Sequence, residues 1–192
     1  MRCELDSHAD TCLAGRNFIA YEFTDQSVSI HGFDDNSNPV KNVPVATCMT
    51  AITLPDGETV ILVVHQALYL GEKQKHSLLC PNQLRKHGVR VDDCPRHLSL
   101  GMNSKHSITV LQDDLEISLE MDGVISFFNS HQPTPREIED CRHIELTSPM
   151  VWDPGSEEFQ QDECNYTHKA SGTIRDPQGL LPLCVEMKLR AS

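Results

Sequence analysis

Val60-Ile61-Leu62-Val63-Val64 sets five apolar side chains in succession. A strand points alternate side chains to opposite faces, so an unbroken apolar run needs apolar cover on both, which a strand obtains in the middle of a domain. Upstream, Pro55-Asp56-Gly57 offers a proline that presets a turn dihedral and a glycine that accepts a positive φ. Residues 51–54 and 59–64 therefore read as the arms of a β-hairpin. Further strand signals lie at 2–5, at Ser27-Val28-Ser29-Ile30 with its polar-apolar alternation, and at 43–46, 107–111, 115–119 and 124–128. One short helix is expected from Pro81, which fits a first helical turn, to His87, with Gly88 as a left-handed stop. The fold class is mainly β.

The residues that carry chemistry lie near the start, in Leu5-Asp6-Ser7-His8-Ala9-Asp10-Thr11. An acid followed by a small hydroxyl residue and then alanine is how aspartic proteases present a catalytic carboxylate. Two such carboxylates held together share one proton, and the pair can activate a water with one oxygen while protonating a carbonyl with another. One carboxylate alone cannot. Elsewhere Asp56-Gly57 and Asp122-Gly123 read as turns, so the second acid must come from an identical chain, with two Asp6 side chains meeting at a two-fold axis. The bland alternative for Asp6 is a turn-forming residue after a strand.

Residues 5–11 resemble the active-site loop of retroviral-type aspartic proteases: an apolar residue, Asp, Ser or Thr, Gly, Ala, then often Asp and Thr. A second block, Ala67-Leu68-Tyr69-Leu70-Gly71 through His76-Ser77-Leu78-Leu79-Cys80-Pro81-Asn82-Gln83-Leu84, resembles the segment after the flap in proteases of copia-type retrotransposons. Together the resemblance covers about the first two-thirds of the chain. It implies a small closed barrel-like retropepsin fold over residues 1–128, acting as a homodimer that cuts an extended polyprotein peptide. It further implies Asp6 as the catalytic carboxylate, Ser7 as the hydroxyl that braces the opposite loop, Ala9 as the small residue that lets the loop pack, and Asp10 as the acid that contacts substrate backbone and inter-subunit bases. Residues 31–38 would form the flap tip, and Leu68 and Leu70 would support the Asp6 turn. Three departures stand out: His8 where the family places Gly, only five residues ahead of Asp6, and Gly71 where Pro is frequent. The short lead suggests a fragment of a longer polyprotein.

Charge is uneven along the chain. Residues 1–112 hold 12 acids and 10 bases, residues 113–163 hold 14 and 2, and residues 164–192 hold 2 and 4. An acidic surface repels phosphate backbones, which argues against direct nucleic-acid binding. The acidic stretch reads as a solvated linker, so residues 129–192 are expected to be a poorly ordered acidic tail. Within it, Thr134-Pro135-Arg136-Glu137 is a capping box that starts a short helix to about Arg142, and Trp152 docks. Leu180-Leu181-Pro182-Leu183 reads equally as a strand, a partner-binding peptide or the start of a further module.

No apolar run approaches the roughly 20 residues needed to cross a bilayer, and no signal segment opens the chain. A cytoplasmic location, within virus-like particles, and no membrane partner are expected. The eight cysteines include no Cys-x-x-Cys pair and read as reduced thiols. No cofactor or metal is expected. A zinc-binding adaptor is the competing reading, through Cys141 and His143 with Cys164 and His168, or through His76 and Cys80 with Cys94 and His97, although these spacings match structural zinc sites loosely. A protease-like dimerisation or binding module that no longer cuts, because of His8 or the short lead, is the other alternative.

Overall fold

The computed structural model describes residues 1–32, 38–99, 103–159 and 161. Among the described residues as far as Glu145, twelve strands and two α-helices follow in chain order: β1 (Arg2–Leu5), β2 (Leu13–Gly15), β3 (Ile19–Ile30), β4 (Val40–Thr53), β5 (Thr59–Gly71), β6 (Ser77–Leu79), α1 (Pro81–Lys86), β7 (Arg90–Asp92), β8 (Ser107–Val110), β9 (Leu115–Ser118), β10 (Glu120–Asp122), β11 (Ile125–Asn129), α2 (Pro135–Asp140) and β12 (Arg142–Glu145). The protein is mainly β, as its sequence pattern requires.

Strand β5 is the centre of the architecture. Val60, Leu62 and Val64 enter one apolar cluster, while Ile61 and Val63 enter a second on the opposite face with Met49 and Ala51. The apolar run thus has cover on both faces, which accounts for its lack of alternation. On one side β5 pairs with β4; on the other, its first half pairs in parallel with β12 and its second half in parallel with β2. The β4–β5 turn forms where Pro55-Asp56-Gly57 places it. Gly57 stands at φ 91°, and its N–H reaches the Leu54 carbonyl at 2.9 Å.

The main sheet runs β10-β11-β1-β6-β2-β5-β4-β3, with β12 alongside β5, and β7-β8-β9 form a second small sheet. Among the described residues this path is open: β10 pairs only with β11 and β3 only with β4. That corrects the expected closed barrel. The physical reason lies in β3, whose pairing with β4 is broken by register shifts at Ala20/Glu22, Phe23/Ser27 and Val28/Ile30. An edge so bulged, with most of its residues exposed, carries no further strand of this chain among the described residues.

The expected boundary after residue 128 is also displaced. The first compact unit runs Met1–Trp152 and the second Asp153–Ser192. His131 exchanges backbone hydrogen bonds with Ala51 at 2.9 and 3.0 Å, and β12 carries Ile144 into the core, followed by Leu146, both fully buried. Along β12 the acid Glu145 is exposed, while its neighbours Ile144 and Leu146 point inward. Helix α2 starts at the capping box, with Thr134 and Glu137 satisfying each other's backbone N–H groups. In the second unit, the described residues form a turn at Asp153 and one helical turn in which Ser156 Oγ accepts from the Phe159 N–H. Leu180–Leu183 lies outside the described residues.

Candidate active site

Two short strands with Asp6 between them are held apart by a third. Strand β6 lies between β1 and β2, parallel to the first (Leu5 opposite Leu79) and antiparallel to the second (Leu13 opposite Leu78). The loop joining β1 to β2, residues 6–12, must therefore cross the end of β6. Its first backbone contact is with that strand, from the Asp6 N–H to the Leu79 carbonyl at 3.1 Å. Residues 5–11 and residues 67–84 are thereby hydrogen-bonded neighbours.

Inside the loop the chain turns tightly. The Ala9 N–H donates to the Asp6 carbonyl at 3.2 Å, and the His8 N–H donates to Asp6 Oδ1 at 2.9 Å. The second bond places a backbone dipole against one carboxylate oxygen and fixes its orientation. Asp6 and Ala9 are half-buried, whereas Ser7, His8 and Asp10 are exposed. Ala9 and Leu5 pack against the main core cluster. His8 is not among the residues with positive φ, so this loop needs no glycine for its backbone conformation. Gly71 does: at φ 51° it sits where a proline ring could not.

The far end of the loop is anchored by helix α1. Gln83 is buried, with Oε1 accepting from the Cys12 N–H at 2.8 Å and Nε2 donating to the carbonyls of His65 and Gln66, each at 3.3 Å. One side chain thus ties the Asp6 loop to the helix and to central strand β5. Cys80 caps α1 by accepting from the Gln83 N–H at 3.4 Å, and the Cys80 N–H points at Cys12 Sγ at 3.2 Å. The Leu68 N–H donates to the Cys12 carbonyl at 2.9 Å, so Leu68 supports the loop through its backbone. Trp152 docks on the loop from the other side, its indole N–H on the Asp10 carbonyl at 2.8 Å.

Beneath the loop lies a buried polar network. Asn17 Nδ2 donates to Ser130 Oγ at 2.6 Å, its Oδ1 accepts from Ser77 Oγ at 2.6 Å, and that hydroxyl accepts from the Gly15 N–H at 2.8 Å. A satisfied network of this kind fixes one arrangement of β1, β2 and β6. Sequence reading assigned no role to Asn17 or Gln83. A Gln inside a six-residue helix that starts after a capped turn was the available signal for Gln83; Asn17, between Arg16 and Phe18, offered none.

Burial pushes the Cys3 and Cys48 thiols up to about 12, and pushes Cys12 and Cys80 upward as well. Such groups stay protonated and unreactive. Among the described residues no three His, Cys, Asp or Glu side chains gather as a metal site, so His76, Cys80, Cys94 and His97 are not brought together. Cys164 and His168 lie outside the described residues, as do residues 33–37 of the expected flap tip. No described helix is long and apolar enough to cross a membrane. No family model, no curated protein and no solved structure matches this chain.

Proposed function

We propose that this chain is an aspartic endopeptidase of the retropepsin type, active as a homodimer in which each copy contributes Asp6. The observation that carries the reading is the threading of β6 between β1 and β2, because it joins the Asp6 loop to the one other segment that resembles the same family. The loop is rigid at its base and open at its tip, with Asp6 half-buried and the residues after it exposed. A second copy facing it across a two-fold axis would bring the carboxylates together.

Each group then has a defined task. The pair of Asp6 carboxylates holds one proton; the ionised member draws a proton from water as it attacks the scissile carbonyl, and the protonated member hydrogen-bonds the carbonyl oxygen. The His8 N–H orients Asp6 Oδ1, leaving the other oxygen toward water. Ser7 is exposed at the tip, where it can brace the opposing loop, and Asp10 is exposed for the substrate backbone. The β3–β4 hairpin supplies a cover, since residues 25–29 and 40–42 are exposed on both faces. An extended stretch of a polyprotein is the substrate, held as a strand, and the cytoplasm, inside virus-like particles, is its setting.

The exposed imidazole of His8 favours a second reading, a protease-like module that binds or dimerises without cutting. Cleavage of an attached precursor separates the two. The active enzyme cuts, shows a bell-shaped pH profile belonging to the dyad jointly, and stops on Asp6→Asn. A wild-type dimer that never cuts, and cuts after His8→Gly, would assign this chain to the module.

A further inference from the structure

Opposite the main core, the second face of the sheet is only partly covered. Ile138 of α2 and Cys141 pack over Met49, Ala51, Ile61 and Val63 at one end. Toward the other end, where Thr47 and His65 replace these apolar residues, the face opens into a groove of about 1170 Å³. None of Asp6, Ser7, Ala9 or Asp10 lines it.

Its chemistry is one-sided. Glu22, Asp25, Asp113 and Glu145 line the groove, and among the described residues no Lys or Arg does. At its floor, His65 meets Thr47 Oγ1 through Nδ1 at 3.0 Å, while Nε2, buried and without a hydrogen-bond partner among the described residues, lies 3.5 Å from Glu145 Oε1. His65 thus sets one side of the Glu145 carboxylate, whose residue is exposed to the groove. One wall is β3, the edge strand, whose outer backbone groups have no strand partner among the described residues. Tyr21 and Glu22 on that strand are exposed.

We propose that this groove binds a short, extended, basic peptide segment of a partner protein. The peptide adds to the free edge of β3 by main-chain hydrogen bonds and directs alternate Lys or Arg side chains over the acidic face of the groove. The register shifts in β3 confine regular pairing to a few residues, so the segment is short. The site is separate from the Asp6 loop, and its occupancy is read by binding rather than by cleavage.

Fluorescence anisotropy of a labelled, end-blocked peptide alternating Val and Lys, titrated with the full chain, tests this. The wild type binds; Glu22→Gln with Glu145→Gln weakens binding about tenfold, as two partly screened charge pairs would. Both glutamates are exposed, and an unchanged unfolding midpoint verifies that the variant folds. Glu120→Gln with Glu139→Gln, an equal charge change at exposed residues that do not line the groove, leaves binding within about twofold. N-methylating alternate backbone nitrogens of the peptide also weakens it. Absence of wild-type binding, equal loss in both double variants, or equal competition by free spermidine would overturn the proposal.

Discussion

Replacing Gln83 with Met removes the amide that ties the Asp6 loop to helix α1 and strand β5 while keeping the side chain's length. The Cys12 N–H loses its acceptor at 2.8 Å and the Gln66 carbonyl loses its donor at 3.3 Å. The His65 carbonyl keeps Thr147 Oγ1 at 2.9 Å and is spared. Gln83 is 3% exposed, so water does not readily substitute. An orphaned buried polar group costs about 1–3 kcal/mol, and two of them, slightly offset by the more apolar side chain, cost about 3 kcal/mol. Urea unfolding reads this directly: with a slope of about 2 kcal/mol/M, the midpoint falls by about 1.5 M. Gln83→Glu keeps an acceptor for the Cys12 N–H but sets a carboxylate against two carbonyls, so it is no milder. A midpoint for Gln83→Met within about 0.3 M of wild type, equivalent to about 0.6 kcal/mol at that slope, would refute the role assigned to this side chain.

Ile144→Ala should cost about 3 kcal/mol in urea unfolding, because a fully buried side chain leaves a cavity beside β5; a loss under about 0.5 kcal/mol would return β12 to a surface tail. Burial lowers the pKa of His106, so the folded state binds fewer protons than the unfolded chain: stability is retained above the unfolded value of about 6.5 and declines as pH falls below it. His106→Asn, which tolerates the left-handed backbone at φ 51°, should lessen the drop in midpoint between pH 7.5 and pH 5. The Thr134 N–H, and then His131, hold Glu137 down at about 2, so its contribution is present above 4.5 and lost as pH falls from there to about 2. Glu137→Gln should cost about 1 kcal/mol at pH 6 and only a small part of that at pH 2.

The parts of the fold that could be read from sequence are those in which a local rule and the tertiary structure agree. Val60–Val64, Pro55-Asp56-Gly57, the helix opened by Pro81 and the capping box at Thr134 all form where local chemistry puts them. Residues 19–26 of β3 escaped notice because an edge strand exposed on both sides carries no burial pattern. Strand β12 was hidden by charge: averaged over residues 113–163, the acids outweigh the inward alternation of Ile144 and Leu146. The loop residues of the candidate site were legible as a motif. Their supports were not: Gln83 and Asn17 work through partners 71 and 113 residues away, and Trp152, whose docking was expected, finds its partner 142 residues away. No local window contains both ends of such a contact.

Mixing wild-type chain with Asp6→Asn chain at fixed total concentration, and following cleavage of a peptide substrate, tests the central claim most directly. If the catalytic centre takes one Asp6 from each of two chains, activity follows the square of the wild-type fraction, about a quarter at equal mixing, and the variant alone is inactive. Activity that falls in proportion to the wild-type fraction, to about half at equal mixing, or that survives in the variant alone, would contradict it.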